Sequence, residues 1–338
     1  MSASIIDEFK QNARAHPQRV ALPESEDARI LKAASVVSKE SIAIPILIGK
    51  QAVINAFADA LHVDLQGVEV IDPESFSKFE EYVDLYSKRK NASTRIARAL
   101  LKKPLNFGYM MTVTGDAAAV IAGAFHTSAE VIAAADLVVG LSPGISIPSS
   151  FFLMVTPGSS YGEKGALIFA DASVNPNPEP ECMADIAAAS AMSARTMLGW
   201  EPRIAMLSFS TKGSAAHPLV DKVIAATRIA REKFPDLMID GELQADAALV
   251  PEVARRKLTE PSQVAGRANV LIFPDLNSGN IAYKLVERLA GAHAYGPILQ
   301  GYSRPISDLS RGASVDDIVG TIAMLSVQAQ RWAPQISA

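Results

Sequence analysis

Four stretches of this sequence collect residue types that hold anions or move protons. The first is 308–317, DLSRGASVDD, with the Ser310 hydroxyl, the Arg311 guanidinium and the Asp317 carboxylate close together around Gly312. A guanidinium suits phosphate because its planar fork donates parallel N–H bonds. A carboxylate beside it can take a proton. The same stretch also reads as a helix start, because Ser314 and Asp317 have capping-box spacing with Asp in place of the usual Glu or Gln. Asp316 and Asp317 would then complement the helix dipole. The spacing fits both readings.

The second stretch is 208–214, SFSTKGS, whose small residues let backbone N–H groups reach an anion while Lys212 adds charge. Ser210 lies within it. The GxxxxGK[ST] spacing of a P-loop is absent, and an ordinary strand-to-helix loop explains the same residues. The third, 123–128 (GAFHTS), offers His126, Thr127 and Ser128 at a helix start. Spacing identifies no acidic partner for His126, and there is no GxSxG elbow, so a hydrolase triad is not expected. The fourth, 274–283 (PDLNSGNIAY), supplies Asn277, Ser278 and Asn280 for helix capping or ligand positioning.

These stretches need elements to carry them. Short β-branched runs at 20–22, 42–48, 68–71, 120–122, 204–207, 237–240, 270–273 and 296–299 predict strands. Longer amphipathic stretches at 27–40, 50–61, 76–88, 92–101, 129–135, 183–198, 219–233, 247–256, 281–289 and 315–330 predict helices. The alternation favours parallel sheets covered by helices. Around 157–165 the runs 151–155 and 166–169 look antiparallel or mixed. Segment 175–181 (NPNPEPE) reads as a loop. The Pro, Gly and Ser of 141–150 (LSPGISIPSS) mark a boundary between two α/β lobes. In such folds ligands sit beyond the carboxyl ends of parallel strands.

The chain has 338 residues, 49% of them hydrophobic, near two domains of roughly 150 residues each. That is enough to bury a core without disulfides or a structural metal. A net charge of −4 leaves no basic excess for a nucleic-acid footprint. One cysteine, Cys182, excludes a disulfide framework and a cysteine-rich zinc site. The five histidines are scattered, so no metal site is expected. The start, MSASIIDEFKQ, lacks the basic and apolar regions of a signal peptide. No apolar run approaches the ~20 residues of a membrane span. These features predict a soluble cytoplasmic protein.

Across these segments the chain resembles the phosphate acetyltransferases, or phosphotransacetylases, of the phosphate acetyl/butyryltransferase family. The resemblance covers ALPESEDARILKA (21–33), FADASVNP (169–176), AMLSFSTKGSA (205–215), DGELQADAALVPEVA (240–254), ANVLIFPDLNSGNIAYK (268–284), AYGPILQG (294–301) and DLSRGASVDDIVG (308–320). It implies a two-domain, three-layer α/β/α fold of the isocitrate/isopropylmalate dehydrogenase type, with the active site in an interdomain cleft. Residues 1–144 plus 302–338 would form a discontinuous first domain. Residues 145–301 would form the second, carrying the interface of a homodimer.

The implied reaction is reversible transfer of an acetyl group between acetyl phosphate and coenzyme A, releasing or consuming inorganic phosphate. No bound cofactor or metal is implied, coenzyme A being a substrate. By the same resemblance Asp317 is the general base for the thiol, Ser310 positions that thiol, and Arg311 holds the phosphoryl group. Arg89 matches a coenzyme A-contacting arginine, and Arg288 another arginine associated with the site. Thr127 and Ser128 match the loop facing acetyl phosphate, and Ser210, Lys212 and Tyr295 fall in segments assigned to substrate binding. An ordinary aspartate, near pKa ~3.9, is a weak base for a thiol, so this role requires burial or tight positioning.

Three positions depart from the family pattern: Ala133 replaces a basic residue, and Ala313 and Ser159 replace cysteines. The first bears on coenzyme A affinity, and the other two leave a mechanism without an enzyme thiol intact. Propionyl or butyryl transfer is the nearest alternative. A noncatalytic coenzyme A-binding regulator is a second, and a dehydrogenase of related fold a weaker third.

Overall fold

The computed structural model describes residues 5–143 and 145–332. In chain order the elements are α1 (Ile5–Ala15), β1 (Gln18–Leu22), α2 (Ala28–Lys39), β2 (Ala43–Ile48), α3 (Gln51–Ala60), β3 (Glu69–Ile71), α4 (Phe79–Lys90), α5 (Thr94–Leu101), α6 (Pro104–Thr114), β4 (Ala119–Ile121) and α7 (Ser128–Val138). Then follow β5 (Ser149–Val155), β6 (Ala166–Ala170), α8 (Pro180–Ser193), β7 (Arg203–Leu207), α9 (Pro218–Lys233), β8 (Met238–Leu243), α10 (Ala245–Leu249), α11 (Pro251–Lys257), β9 (Val270–Ile272), α12 (Leu276–Leu289), β10 (His293–Gln300), β11 (Ile306–Ser307) and α13 (Val315–Gln330). The chain is α/β, in two compact units: Met1–Ser142 with Tyr302–Ala338, and Pro143–Gly301.

In the first unit the strands lie in the order β3-β2-β1-β4-β11, every pair parallel. Val20 faces Pro45 on one side and Ala119 on the other. The strands are short and apolar because helices cover both faces of such a sheet. Helix α13 is buried continuously from Ile318 to Gln328 and packs on α1, α2 and β1. A helix apolar on all sides belongs inside a structure rather than on its surface.

Helix α6, likewise apolar around its surface but without a side-chain N-cap to mark its start, was not legible in the sequence. Its PLNFGYMMTVT sequence is buried over most of its circumference and shows no amphipathic period. Pro104 opens it at a first-turn position, where the missing N–H costs nothing. Gly108 allows it to approach the sheet, since a Cβ there would lie 3.0 Å from Ile48 and 3.4 Å from Val120.

In the second unit the order is β10-β5-β6-β9-β7-β8. The pairs β10–β5 and β5–β6 are antiparallel, and the remaining pairs are parallel. Phe152 stacks on Tyr283 with centroids 4.1 Å apart, and Phe169 lies 5.2 Å from Phe273. Such pairs stabilise a core by about 0.5–1.5 kcal/mol beyond area burial.

Among the boundaries that differ from expectation, three have a clear local cause. The loop expected over 175–181 ends early, because Pro180 starts α8 rather than preventing a helix. The single helix expected over 247–256 is two helices, since Pro251 has no N–H with which to continue α10. Helix α12 begins at Leu276, not 281, because the Asp275 carboxylate caps it by accepting from the Ser278 N–H at 2.8 Å. Asn277, Ser278 and Asn280 therefore lie on the helix itself.

Candidate active site

Three parallel strands of the first unit end side by side, and the chemistry collects just beyond them. β1 leads into Glu24, β4 into the loop 122–127, and β11 into the loop 308–314. Gly123 makes the close approach possible. Its φ is +107°, and a Cβ there would overlap Asp308 Oδ1 and come within 2.6 Å of the Leu309 nitrogen.

Arg29, at the start of α2, ties the loops together. Its guanidinium donates to the Arg311 carbonyl at 2.7 Å, to the Ala313 carbonyl at 3.1 Å and to the Ala124 carbonyl at 2.8 Å. It also pairs with Asp27 at 2.7 Å. Hydrogen bonding to Asp27 pushes the Arg29 pKa up, so this cation is permanent.

Glu24 organises the 124–126 loop from behind. Its side chain is 1% exposed. Oε2 accepts from the Ala124 N–H at 2.8 Å, and Oε1 from the N–H groups of Phe125 and His126 at 3.1 and 2.8 Å. His126 Nδ1 lies 2.8 Å from the same Oε1. His126 thus has the acidic partner that spacing could not reveal, 102 positions away in sequence.

Of the residues assigned from the sequence, Ser310, Arg311, Asp317, Thr127 and Ser128 lie in or beside these loops. Asp317 is half-buried and completes a capping box. Its Oδ2 accepts from the Ser314 N–H at 2.9 Å and from the Ser314 hydroxyl at 2.7 Å, and its own N–H donates to Ser314 Oγ at 3.2 Å. Oδ1 makes no hydrogen bond among the described residues. Thr127 caps α7 in the same manner with Glu130. Ser310 Oγ accepts only a long bond, 3.4 Å, from the Gly312 N–H. Arg311 is exposed, and its guanidinium enters no ion pair among the described residues.

Arg89 lies at the far end of α7, donating to the Val138 and Val139 carbonyls at 3.4 and 3.3 Å. Cations are favoured at a helix C-terminus. Burial and repulsion from Arg304 push the Arg89 pKa down.

In the second unit the assigned side chains are engaged locally. In the 208–214 loop the Lys212 and Gly213 N–H groups donate to the Glu242 carbonyl and carboxylate, at 3.2 and 2.7 Å. Ser210, fully buried, donates to the same carboxylate at 3.0 Å. The loop does hold an anion, and that anion is a side chain of the protein itself. Lys212 Nζ donates to Asp240 at 2.5 Å and to the Gly241 carbonyl at 2.7 Å. A pocket of ≈ 570 Å³ lies beside this pair and Arg231. Arg288 is exposed on α12, 3.7 Å from Glu287. Tyr295 is buried on β10 against His293, centroids 5.9 Å apart.

Asp308 is unlike the other buried acids. Asp171 accepts on both oxygens, and Glu242 Oε1 accepts from Ser210 and Gly213, whereas neither Asp308 oxygen has a partner of good geometry. Burial pushes its pKa up to about 6. The Ser128 hydroxyl, the Leu309 N–H and Arg311 only partly oppose this, and the Glu24 charge adds to it. With the folded pKa above the unfolded value, the native state holds the extra proton between the two. Stability is therefore lost as pH rises from about 4 to 6. Asp308→Asn is expected to raise stability at pH 8 by on the order of 2–3 kcal/mol and to flatten this dependence. Urea unfolding at pH 5 and pH 8 measures it. A variant with no gain at pH 8 would mean that the native acid carries no such penalty.

Glu24, Arg29 and Asp308 were not singled out from the sequence. All three lie within the segments 21–33 and 308–320 that carry the resemblance, as charged residues at or near strand ends, which is the signal that was available.

Among the described residues no group of three His, Cys, Asp or Glu side chains could hold a metal ion. No described helix is long and apolar enough to cross a membrane.

Residues 4–326 match the family model described as phosphate acetyl/butaryl transferase. A phosphate acetyltransferase of Thermoanaerobacterium thermosaccharolyticum is 50% identical over 330 residues, covering 97% of this chain and 100% of the relative. A phosphotransacetylase structure from Streptococcus pyogenes superposes with TM-score 0.90 at 37% identity, over 98% of this chain and 100% of that one. The EutD phosphotransacetylase of Staphylococcus aureus gives TM-score 0.87 at 35% identity, over 96% and 98%.

Proposed function

This chain belongs to the phosphate acetyl/butaryl transferase family, and from that premise we propose that it is a phosphate acetyltransferase whose reacting groups sit on the 308–317 loop. It transfers acetyl between acetyl phosphate and coenzyme A. The observation that carries the assignment to this loop is the exposed Arg311 guanidinium, unpaired among the described residues, beside Ser310 and a carboxylate held in place by its own helix start.

The residues divide the work as follows. Arg311 binds the phosphoryl oxygens through its two-pronged donor edge. The Ser310 hydroxyl bonds the coenzyme A sulfur. Asp317 Oδ1 takes the thiol proton while Ser314 holds Oδ2. A thiol of pKa near ~8.5 is mostly protonated at neutral pH, so a base raises the thiolate fraction. The thiolate attacks the acetyl carbonyl carbon, and the C–O bond to phosphate breaks with its electron pair on oxygen. Arg89 binds coenzyme A, and Arg288, Thr127, Ser128, Ser210, Lys212 and Tyr295 belong to the same substrate-binding assignment. Ser210 and Lys212 would act there through the loop they stabilise. A homodimer formed through 145–301, a cytoplasmic location and independence of metal are part of this reading.

A coupled assay with acetyl, propionyl and butyryl phosphates tests it. The expected order of kcat/KM puts acetyl first. Each added methylene costs about 10- to 200-fold at most in an apolar pocket, so some propionyl transfer is expected. A butyryl preference would move the chain to the longer-acyl branch. Coenzyme A binding without turnover would make it a regulator.

A further inference from the structure

Taking the acetyltransferase reading as given, we propose that His126, oriented by Glu24, is a second proton-handling group of this enzyme, acting at the phosphate end of the reaction. The 308–317 loop accounts for the thiol proton. It leaves the proton of the other substrate unassigned, because inorganic phosphate must lose a proton when it attacks acetyl-coenzyme A and regain it in the opposite direction.

Glu24 fixes the imidazole. It is nearly inaccessible, it already accepts three backbone N–H bonds from the 124–126 loop, and its Oε1 lies 2.8 Å from Nδ1. That contact makes Nδ1 the proton-bearing nitrogen and leaves the lone pair on Nε2. Nε2 makes no hydrogen bond among the described residues, while the ring is 28% exposed. The carboxylate behind Nδ1 fixes the ring orientation in which Nε2 can accept a proton. The ring stands on the loop whose Ala124 carbonyl and the Arg311 carbonyl are held by one guanidinium, that of Arg29.

The step balances within the established reactants. When phosphate attacks the thioester carbonyl, its O–H bond breaks and the proton passes to Nε2. The new bond is C–O, and the bond that breaks is C–S, its electron pair leaving on sulfur. Asp317 returns its proton to that sulfur. In the acetyl phosphate direction the transfers reverse, and Nε2–H protonates the departing phosphate oxygen. Glu24 is a positioning residue that touches no substrate.

The test compares His126→Ala and His126→Asn with wild type in both directions, with and without added imidazole. His126→Asn keeps an amide N–H for Glu24 and so preserves the loop. The expected result is a kcat loss of about 10²–10⁴ in both variants, with the coenzyme A Kd from calorimetry unchanged within about twofold. Added imidazole should restore His126→Ala by at least about tenfold, which a purely structural defect does not allow. Glu24→Gln should lower kcat while leaving the KM for coenzyme A unchanged.

Turnover of His126→Asn near the wild-type level overturns the proposal. So does a loss in His126→Ala that imidazole fails to relieve. A wild-type enzyme without acetyl phosphate turnover would remove the underlying reading, and this is told apart by the unmutated control.

Discussion

Asp317→Asn is expected to lower kcat by about 10²- to 10⁴-fold while leaving the fold nearly as stable as wild type. The carboxylate has two jobs that this substitution separates. An asparagine oxygen can still accept from the Ser314 N–H and hydroxyl, which hold Oδ2 at 2.9 and 2.7 Å. The cap of α13 therefore survives, with a cost under ~1 kcal/mol. An amide cannot take a thiol proton. The matching control is Ser314→Ala, which removes the cap hydroxyl, should cost about 0.5–2 kcal/mol, and leaves the carboxylate present. Initial rates at saturating acetyl phosphate, coenzyme A calorimetry and urea unfolding on both variants give the answer. Near-normal turnover in Asp317→Asn leaves this residue with the helix start alone.

The second large effect is structural and lies at Gly123. Alanine there meets two penalties. The φ of +107° is closed to L side chains without strain. The new methyl would also overlap Asp308 Oδ1 and lie within 2.9 Å of both the nitrogen and the oxygen of Leu309. Backbone does not yield as a flexible side chain does, so the 308–310 segment has to move and carry Ser310 and Arg311 with it. Gly123→Ala is expected to cost more than about 3 kcal/mol and most of the activity.

Gly115 provides the comparison. Its φ of +83° is similarly special, but a Cβ there meets nothing within 4 Å. Gly115→Ala should cost only about 1–2 kcal/mol of backbone strain. Equal losses in the two variants, read from urea melts, would show that the contact with the 308–310 loop is unimportant. The double change Gly123→Ala with Asp308→Ala should recover only part of the loss, because the Leu309 backbone remains in the way.

How much of this the sequence carried depends on whether the signal was local. Helix α13 was expected over 315–330 and forms there, with Ser314 at its cap. Its signal, a capping pair followed by a continuous apolar run, lies within one stretch of chain. The parallel arrangement in the first unit followed from strands alternating with amphipathic helices, and the antiparallel β5–β6 pair from a compact turn. What escaped notice was either silent or distant. α6 has no polar face to set a period, and β11 has only two residues. The site behaved likewise. Arg311 and Asp317 sit in one motif, but Glu24 and His126 come together only because β1 and β4 are neighbours in the sheet. Arg29 reaches carbonyls on two loops far apart in sequence. Adjacency of strand ends creates those partnerships, and no spacing rule within a single segment encodes it.

The placement of α13 also bears on biosynthesis. The first unit takes residues up to Ser142, then none until Tyr302, yet the helix filling its interior is α13. A nascent chain leaving the ribosome at about 5–20 residues per second will therefore expose the apolar faces of β1, β2 and α2 throughout synthesis of the intervening unit. That unit, whose residues are contiguous, can complete itself first. The earlier-made portion keeps that apolar surface uncovered until 315–330 emerge.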